Sequence, residues 1–362
     1  MNIVFHHPLA INEDGHTAST IRPNKMLNAF RQLGFSVDVA AGFSKERKKA
    51  MQKIKENILQ GRKYAFVYAE SSTKPNALAD PHHIPIRPTI DFHFFRFLNS
   101  HNIPIGLFYR DIYWRFDLFQ KEVGFCKANL SKAWFWYDLW QYNRYIHRMY
   151  LPSLKMADYV PMFSAEKMDA LPPGHDITFP EEKIRRKKDG LHLLYIGGVG
   201  IHYQLQILFE VVQQLSGIKL TVCTRESDWT QSRMDYGSLS DHNIHIVHNS
   251  NNDLVELYSE CDIAVLYVKP QPYRQFAVPF KLFEYIGHAK PVLASAGTMV
   301  GQMVEEMGAG WVVPYFRESL YDFLCHIKKN PEEIREKQKN IKEIAEQHTW
   351  LARARKVAND FV

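Results

Sequence analysis

Asn2-Ile-Val-Phe5 opens the chain as a short apolar run. A polar loop over Asn12–Thr20, a helical spacing of Met26, Leu27, Phe30 and Leu33, a stop at Gly34 and a second apolar run, Ser36-Val-Asp-Val-Ala40, follow. A run too short for a helix, then apolar residues at intervals of three and four, then another short run, reads as strand–helix–strand. Such a βαβ unit builds a parallel, doubly wound sheet. The rhythm continues outward through Tyr64–Tyr68, a helix around Asp91 to Ser100, and Ile105–Tyr109. It restarts at Leu191-His-Leu-Leu-Tyr-Ile196 and runs through Lys219–Cys223, Ile244–Val247, Ile263–Tyr267 and Pro291–Ala294. Between the two series lie Leu171-Pro-Pro-Gly174 and the charged residues Glu181 to Gly190, a composition that suits a linker.

The 362 residues suit two domains at roughly 100–200 residues each. We expect an N-terminal domain over 1–175, a second over 176–345, and a closing helix over 346–362 that packs back toward the first. Two facing domains of this kind enclose a cleft, and ligands of doubly wound sheets sit at the carboxyl ends of the strands. Hydrophobic residues make up 46% and charged residues 23%, which excludes disordered and fibrous chains. No apolar run approaches the ~18 residues of a membrane span. The opening residues turn polar after Phe5, without a basic-then-apolar leader, so a cytoplasmic protein is expected. Four widely spaced cysteines and no His-Glu-x-x-His pattern argue against zinc or a disulfide framework.

The net charge of +6 is unevenly held. Residues 1–175 carry 23 Lys+Arg against 15 Asp+Glu, a balance of +8; residues 176–362 carry 22 against 24, a balance of −2. A basic N-terminal half points to an anionic partner. Residues 110–156 sharpen this, with 13 aromatics, eight Lys+Arg and four Asp+Glu. Trp and Tyr beside basic residues are what a helix uses at a membrane surface. An aromatic core with an acceptor pocket would use the same residues. No nucleic-acid fold signature accompanies them, so no nucleic-acid partner is expected.

The most specific segment is Tyr273-Arg-Gln-Phe-Ala-Val-Pro-Phe-Lys-Leu-Phe-Glu-Tyr-Ile-Gly-His-Ala-Lys-Pro-Val-Leu-Ala-Ser295. Val278 and Pro279 precede a short helix whose first N–H groups can face a phosphate, with Lys281 adding a full charge. Glu284 lies one turn on, where a carboxylate can accept from two hydroxyls. Gly197-Gly-Val-Gly200 ends the first strand of the second series and lets backbone approach a diphosphate. It lacks the third glycine of the dinucleotide fingerprint. Arg225 follows another strand end and either neutralises diphosphate or is a solvated loop arginine. In the first half, Glu13, Asp14 and His16 sit on the loop after the first strand, and Arg22 and Lys25 open the next helix. Asp111 follows Tyr109-Arg110 at a strand end, as a proton acceptor or as the partner of Arg110 or Arg115. His16, Asp14 and His93 are the other candidate bases.

The segment from Tyr273 to Ser295 resembles the donor motif of GT-B glycosyltransferases. The likeness is greatest to family 4 and to xanthan-type glucuronosyltransferases with their Pro-x-Lys-Leu-Phe-Glu-Tyr core. Tyr195-Ile-Gly-Gly-Val199, Tyr258 with Asp262, and Thr349-Trp350 extend the resemblance over most of the C-terminal half. It implies an α/β GT-B fold, two Rossmann-like domains about a cleft, and a metal-independent hexosyl- or glycuronosyltransferase. The nucleotide sugar, UDP-linked, is a substrate, so no cofactor is implied. Gly198, Arg225, Tyr273, Lys281 and Glu284 would hold the donor, with Glu284 on the ribose. Glu13, Asp14, Arg22 and His93 would line the acceptor side, and Asp111 or His16 would take the proton. The acceptor would be a glycan or a polyprenyl-diphosphate-linked sugar of bacterial surface polysaccharide, with the protein cytoplasmic and peripheral on an anionic membrane. Family 4 carries a further glutamate near the sugar, and Phe276 stands at that position, which leaves the stereochemistry open. A GT-B-fold epimerase and a non-catalytic glycan-binding subunit are the alternatives.

Overall fold

The computed structural model describes residues 1–11, 18–179, 190–200, 203–237, 242–249 and 253–362. The chain divides into two units, Met1–Pro173 with Trp350–Val362, and Gly174–Thr349. Each unit is built on a six-stranded parallel sheet with helices in the connections.

In the N-terminal unit the strands are β1 (Asn2–His7), β2 (Ser36–Ala41), β3 (Val67–Glu70), β4 (Ile105–Phe108), β5 (Arg148–Leu151) and β6 (Met168–Ala170). Their order is β2-β1-β3-β4-β5-β6. The chain winds one way from β1 to β2, then returns past β1 to build the rest. Two of these strands, β5 and β6, are absent from the reading above: β5 is three apolar residues behind an arginine, and β6 is only three residues long. The third strand runs later than its apolar run Tyr64–Tyr68 suggests and ends on a charge, Glu70. Ladder pairing holds Val67 between Val4 and Ile105, and the charge at the strand end is tolerated because two arginines meet it.

In the C-terminal unit the strands are β7 (Leu191–Ile196), β8 (Ile218–Cys223), β9 (Ile244–Val247), β10 (Ile263–Leu266), β11 (Val292–Ser295) and β12 (Gly310–Val313). The order is β12-β11-β10-β7-β8-β9. Leu193 and Tyr195 enter one core cluster and Leu194 and Ile196 the other, so β7 is buried on both faces. That is why it reads as an unbroken apolar run rather than an alternating one.

The C-terminal segment is not one helix. Pro331–Ile344 ends in a 3₁₀ turn, Ala345–His348, and a separate helix, Trp350–Asn359, belongs to the N-terminal unit. There Trp350 is buried, and the Phe361 ring stacks on Phe66 with centroids 5.4 Å apart. A Cβ on Gly106 would lie 2.8 Å from the Phe361 ring, so only glycine lets that ring lie against β4. Among the described residues no helix is long and apolar enough to cross a membrane.

Candidate functional site

The strand order of the C-terminal unit reverses between β7 and β10, and the crevice beyond their carboxyl ends is where such sheets bind ligands. The loop after β7, Gly197–Gly200, is fixed from below. Tyr195 Oη donates to the Gly198 carbonyl at 2.7 Å, Tyr236 Oη donates to that of Val199, and the Gly197 N–H donates to Cys223 O at 3.0 Å. A Cβ on Gly198 would stand 2.6 Å from the Tyr203 ring. Glycine is therefore required here by a close-packed tyrosine, a reason independent of any ligand. No backbone carbonyl among the described residues receives the N–H groups of Gly198, Val199 and Gly200, and backbone N–H groups of such loops can meet an anion. The Arg274 guanidinium lies 5.1 Å over the Tyr203 ring and brings a cation to this loop. In the sequence Arg274 is marked only by its place inside the Tyr273–Ser295 segment.

The helix Phe280–Gly287 starts at Pro279 with no side-chain cap. It buries Leu282, Phe283, Tyr285 and Ile286, and the Tyr285 hydroxyl accepts from the Ile196 N–H at 3.0 Å, which ties the helix to the end of β7. Lys281 and Glu284 form an ion pair one turn apart, each side chain about a quarter exposed. Burial pushes the Cys223 thiol up while Lys281 opposes it, so the lysine also lies near the end of β8. Tyr258 stacks on His288 at 3.9 Å and feels the Glu284 charge. Among the described residues, the hydroxyls of Thr224, Tyr258 and Ser295 are buried without a hydrogen-bond partner. Such orphans are uncommon in folded proteins, and here Thr224 and Ser295 stand at strand carboxyl ends.

Arg225 is exposed at the N-cap of Glu226–Ser232. Tyr273 packs edge-on to Phe276 at 5.2 Å, and Phe276 is 1% exposed. Where family 4 has its further glutamate, this chain places a core side chain.

In the N-terminal unit the order reverses between β1 and β3. Glu70, the last residue of β3, has no exposed side-chain surface. Arg22 Nε lies 3.2 Å from one oxygen, Arg110 Nη2 3.3 Å from the other, and Tyr68 Oη donates at 2.8 Å. The Arg22 guanidinium also sits 3.5 Å over Phe108, 5.8 Å from Trp350, and donates to the Pro172 carbonyl. At 2% exposure it joins parts of this unit. Arg22, expected to line the acceptor side, instead directs its guanidinium to Glu70, Phe108 and the Pro172 carbonyl. Asp111 is half-buried, and its carboxylate accepts the Tyr113 N–H at 2.9 Å, closing a turn. Its neighbour Arg110 is turned to Glu70 at the end of the adjacent strand. His93 is exposed on the helix Ile90–Ser100, whereas Asp91, two residues earlier, is buried between His6 at 2.8 Å and Arg47 at 2.7 Å. Glu13, Asp14 and His16 lie outside the described residues.

His7, the last residue of β1, was not read from the sequence. Its Nδ1 is 3.0 Å from the Leu9 carbonyl and 3.3 Å from the Leu9 N–H. The shorter contact, to an oxygen, favours the tautomer with the proton on Nδ1 and a lone pair on Nε2. Burial depresses the imidazole to about 3, so it is neutral at physiological pH. It had no motif to announce it, only its position at the end of the first strand.

Asp138, on the helix Phe125–Tyr145, is buried, and its Oδ2 accepts the Asn76 N–H at 2.8 Å while Oδ1 has no partner among the described residues. Burial raises its carboxyl well above the usual range. A carboxyl raised by folding stabilises fully below the unfolded value near 4, and that contribution is lost as pH climbs toward the folded value. Asp138→Asn removes the titration, so its stability relative to the natural chain should climb with pH, by at most about 1.4 kcal/mol per unit. Urea unfolding at pH 5 and pH 8 checks this; parallel curves would sink it.

Among the described residues no group of three or more His, Cys, Asp or Glu side chains is placed to hold a metal ion. Residues 204–359 match the family model described as glycosyl transferase-like. Anabaena HepE in complex with UDP superposes with a TM-score of 0.66 at 13% identity, over 99% of each chain. Sucrose-phosphate synthase from Thermosynechococcus elongatus gives 0.65 at 13% identity, over 100% of this chain and 98% of that one. WaaG, a glycosyltransferase involved in lipopolysaccharide biosynthesis, gives 0.58 at 15% identity over 99% of each. The fold is that of the GT-B glycosyltransferases. No curated protein sequence matches the chain.

Proposed function

We propose that the chain transfers a hexosyl or glycuronosyl group from a UDP-sugar, held on the C-terminal unit, to a glycan or lipid-linked hydroxyl acceptor. The observation that carries this reading is the rigid Gly197–Gly200 loop at the β7–β10 crevice, with the Lys281–Glu284 helix tied to the end of β7. HepE binds UDP and UDP-glucose on the same fold. The loop N–H groups, Arg274 and the start of Phe280–Gly287 would receive the diphosphate, Lys281 a phosphate or an acidic sugar, and Glu284 the ribose. Fixed dipoles and cations aimed at the leaving diphosphate stabilise the charge it gains as the C1–O bond breaks. For an inverting reaction the acceptor hydroxyl gives its proton to a group of the N-terminal unit, and Asp111 is the candidate among the described residues. The share of WaaG in lipopolysaccharide biosynthesis supports a place in surface polysaccharide assembly.

The test is UDP release from UDP-glucose, UDP-galactose and UDP-glucuronate, with and without lipid and glycan acceptors. Acceptor-dependent release supports transfer. Epimerised sugar without release points to the epimerase, and tight UDP binding with neither product to a non-catalytic subunit. Turnover is expected to survive EDTA, because the diphosphate charge is met by Lys281, Arg274 and backbone N–H groups. Loss on chelation that magnesium or manganese restores would contradict this.

A further inference from the structure

Strands β7 and β8 lie inside the C-terminal sheet, where a parallel sheet is ordinarily apolar on both faces. One face keeps to this: Leu191, Leu193, Ile218, Leu220 and Ile244 all enter a single core cluster. The other face departs from it. The second residue of each strand there is polar, His192 in β7, Lys219 in β8 and His245 in β9, and so is Thr221. The ladders pair His192 with Lys219 and Thr221 with His245, so all four share that face. Toward the carboxyl ends the same face turns apolar, with Leu194, Ile196 and Cys223 in one cluster with Leu257 and Tyr258.

The four polar residues line a cavity of about 510 Å³, to which Glu260 and Leu257 also contribute. That size lies within the ~300–1,000 Å³ of small-molecule sites. One wall is fixed. His192 Nδ1 lies 3.0 Å from the Glu260 carbonyl, its Nε2 lies 2.8 Å from Thr221 Oγ1, and its backbone N–H donates to Asp262 at 2.9 Å. A carbonyl can only accept, so the imidazole proton is on Nδ1 and the Thr221 hydroxyl donates to Nε2. The charged groups of the cavity do not pair with one another. Lys219, His245 and Glu260 are exposed, and among the described residues their side chains have no hydrogen-bond or ion-pair partner. Lys219 and His245 bring donors from β8 and β9, while Glu260, whose carbonyl meets His192, brings an acceptor on the β7 side.

We propose that this cavity binds a small hydroxylated anion of the sugar-phosphate class, with the phosphate toward Lys219 and His245 and hydroxyls toward Glu260. An ammonium and an imidazole N–H suit the phosphate. A carboxylate only accepts, so the end of the ligand that meets Glu260 carries donors, as sugar hydroxyls do. An apolar ligand would desolvate both charges without pairing them. The cavity stands toward the amino ends of β7–β9, whereas the β7–β10 crevice lies beyond the carboxyl ends. The proposal therefore holds whether or not that crevice takes UDP.

Titration calorimetry of the full chain, with and without saturating UDP, is the test, using glucose 1-phosphate, glucose 6-phosphate, glucose and inorganic phosphate. At least one sugar phosphate should bind about tenfold or more tightly than glucose or inorganic phosphate, because it alone engages both ends of the cavity. Its affinity should not depend on UDP. Lys219→Gln should weaken it about tenfold, and so should Glu260→Ala, which should leave inorganic phosphate unaffected. Both side chains are exposed, so circular dichroism and UDP affinity should match the natural chain. The proposal is overturned if neither sugar phosphate binds at millimolar concentration, if UDP displaces it, or if both variants bind it as the natural chain does. Equal affinity for inorganic phosphate would also overturn it, since the cavity would then hold an anion without reading a sugar.

Discussion

Replacing Glu70 by alanine should cost the N-terminal unit about 3–5 kcal/mol, the range for removing one partner of a buried ion pair. The reason is what stays behind. Arg110 has an 11% exposed side chain and can turn toward water, but the Arg22 side chain is 3% exposed, its guanidinium 3.5 Å over Phe108. With Glu70 gone, that charge keeps, among the described residues, the hydroxyl of Tyr68 and the carbonyl of Pro172 as its hydrogen-bond partners. The surface pair Arg62–Asp38, with side chains 36% and 27% exposed, is the internal control. Arg62→Ala should cost about 0–1 kcal/mol. Urea unfolding followed by far-ultraviolet circular dichroism reads both. A Glu70→Ala loss below that of Arg62→Ala would mean that water reaches Arg22.

Replacing Glu284 by alanine should weaken UDP binding by roughly a hundredfold. Two ribose hydroxyls would each lose a charged acceptor worth about 1.5–3 kcal/mol, and the lower figure for each already exceeds two decades in affinity. The ion pair with Lys281 works against the full effect, because alanine frees that lysine to meet phosphate. Lys281→Ala separates the contributions. If both single variants weaken UDP and the double variant falls short of their sum, the pair acts as a unit. Titration calorimetry measures all of them. Unchanged UDP affinity in a folded Glu284→Ala variant would remove the donor-site assignment, and with it the proposed chemistry.

The two sites were legible to different degrees. Lys281 and Glu284 stand three positions apart on a helix introduced by Pro279, and helical geometry alone puts them on one face. The glycines after β7 follow an apolar run that could only be a strand. Asp111 was harder, because a carboxylate after a strand either faces a ligand or caps the next turn, and its contact with the Tyr113 N–H forms only once the turn does. His7 had no neighbouring pattern to mark it, and Arg274 had only its place inside the Tyr273–Ser295 segment.

Apolar period and glycine placement, acting over a few residues, determined the βαβ rhythm, the parallel sheets and the helix Phe280–Gly287. These are local, since strand and helix place successive side chains by fixed rotations. Tertiary structure alone decided which charges are buried. Glu70 meets Arg22 across 48 residues, Asp91 meets Arg47 across 44, and Asp138 meets the Asn76 N–H across 62. The cost of burying a charge depends on whether its partner arrives, so Asp91 could go inside while His93, two positions on, stayed in water.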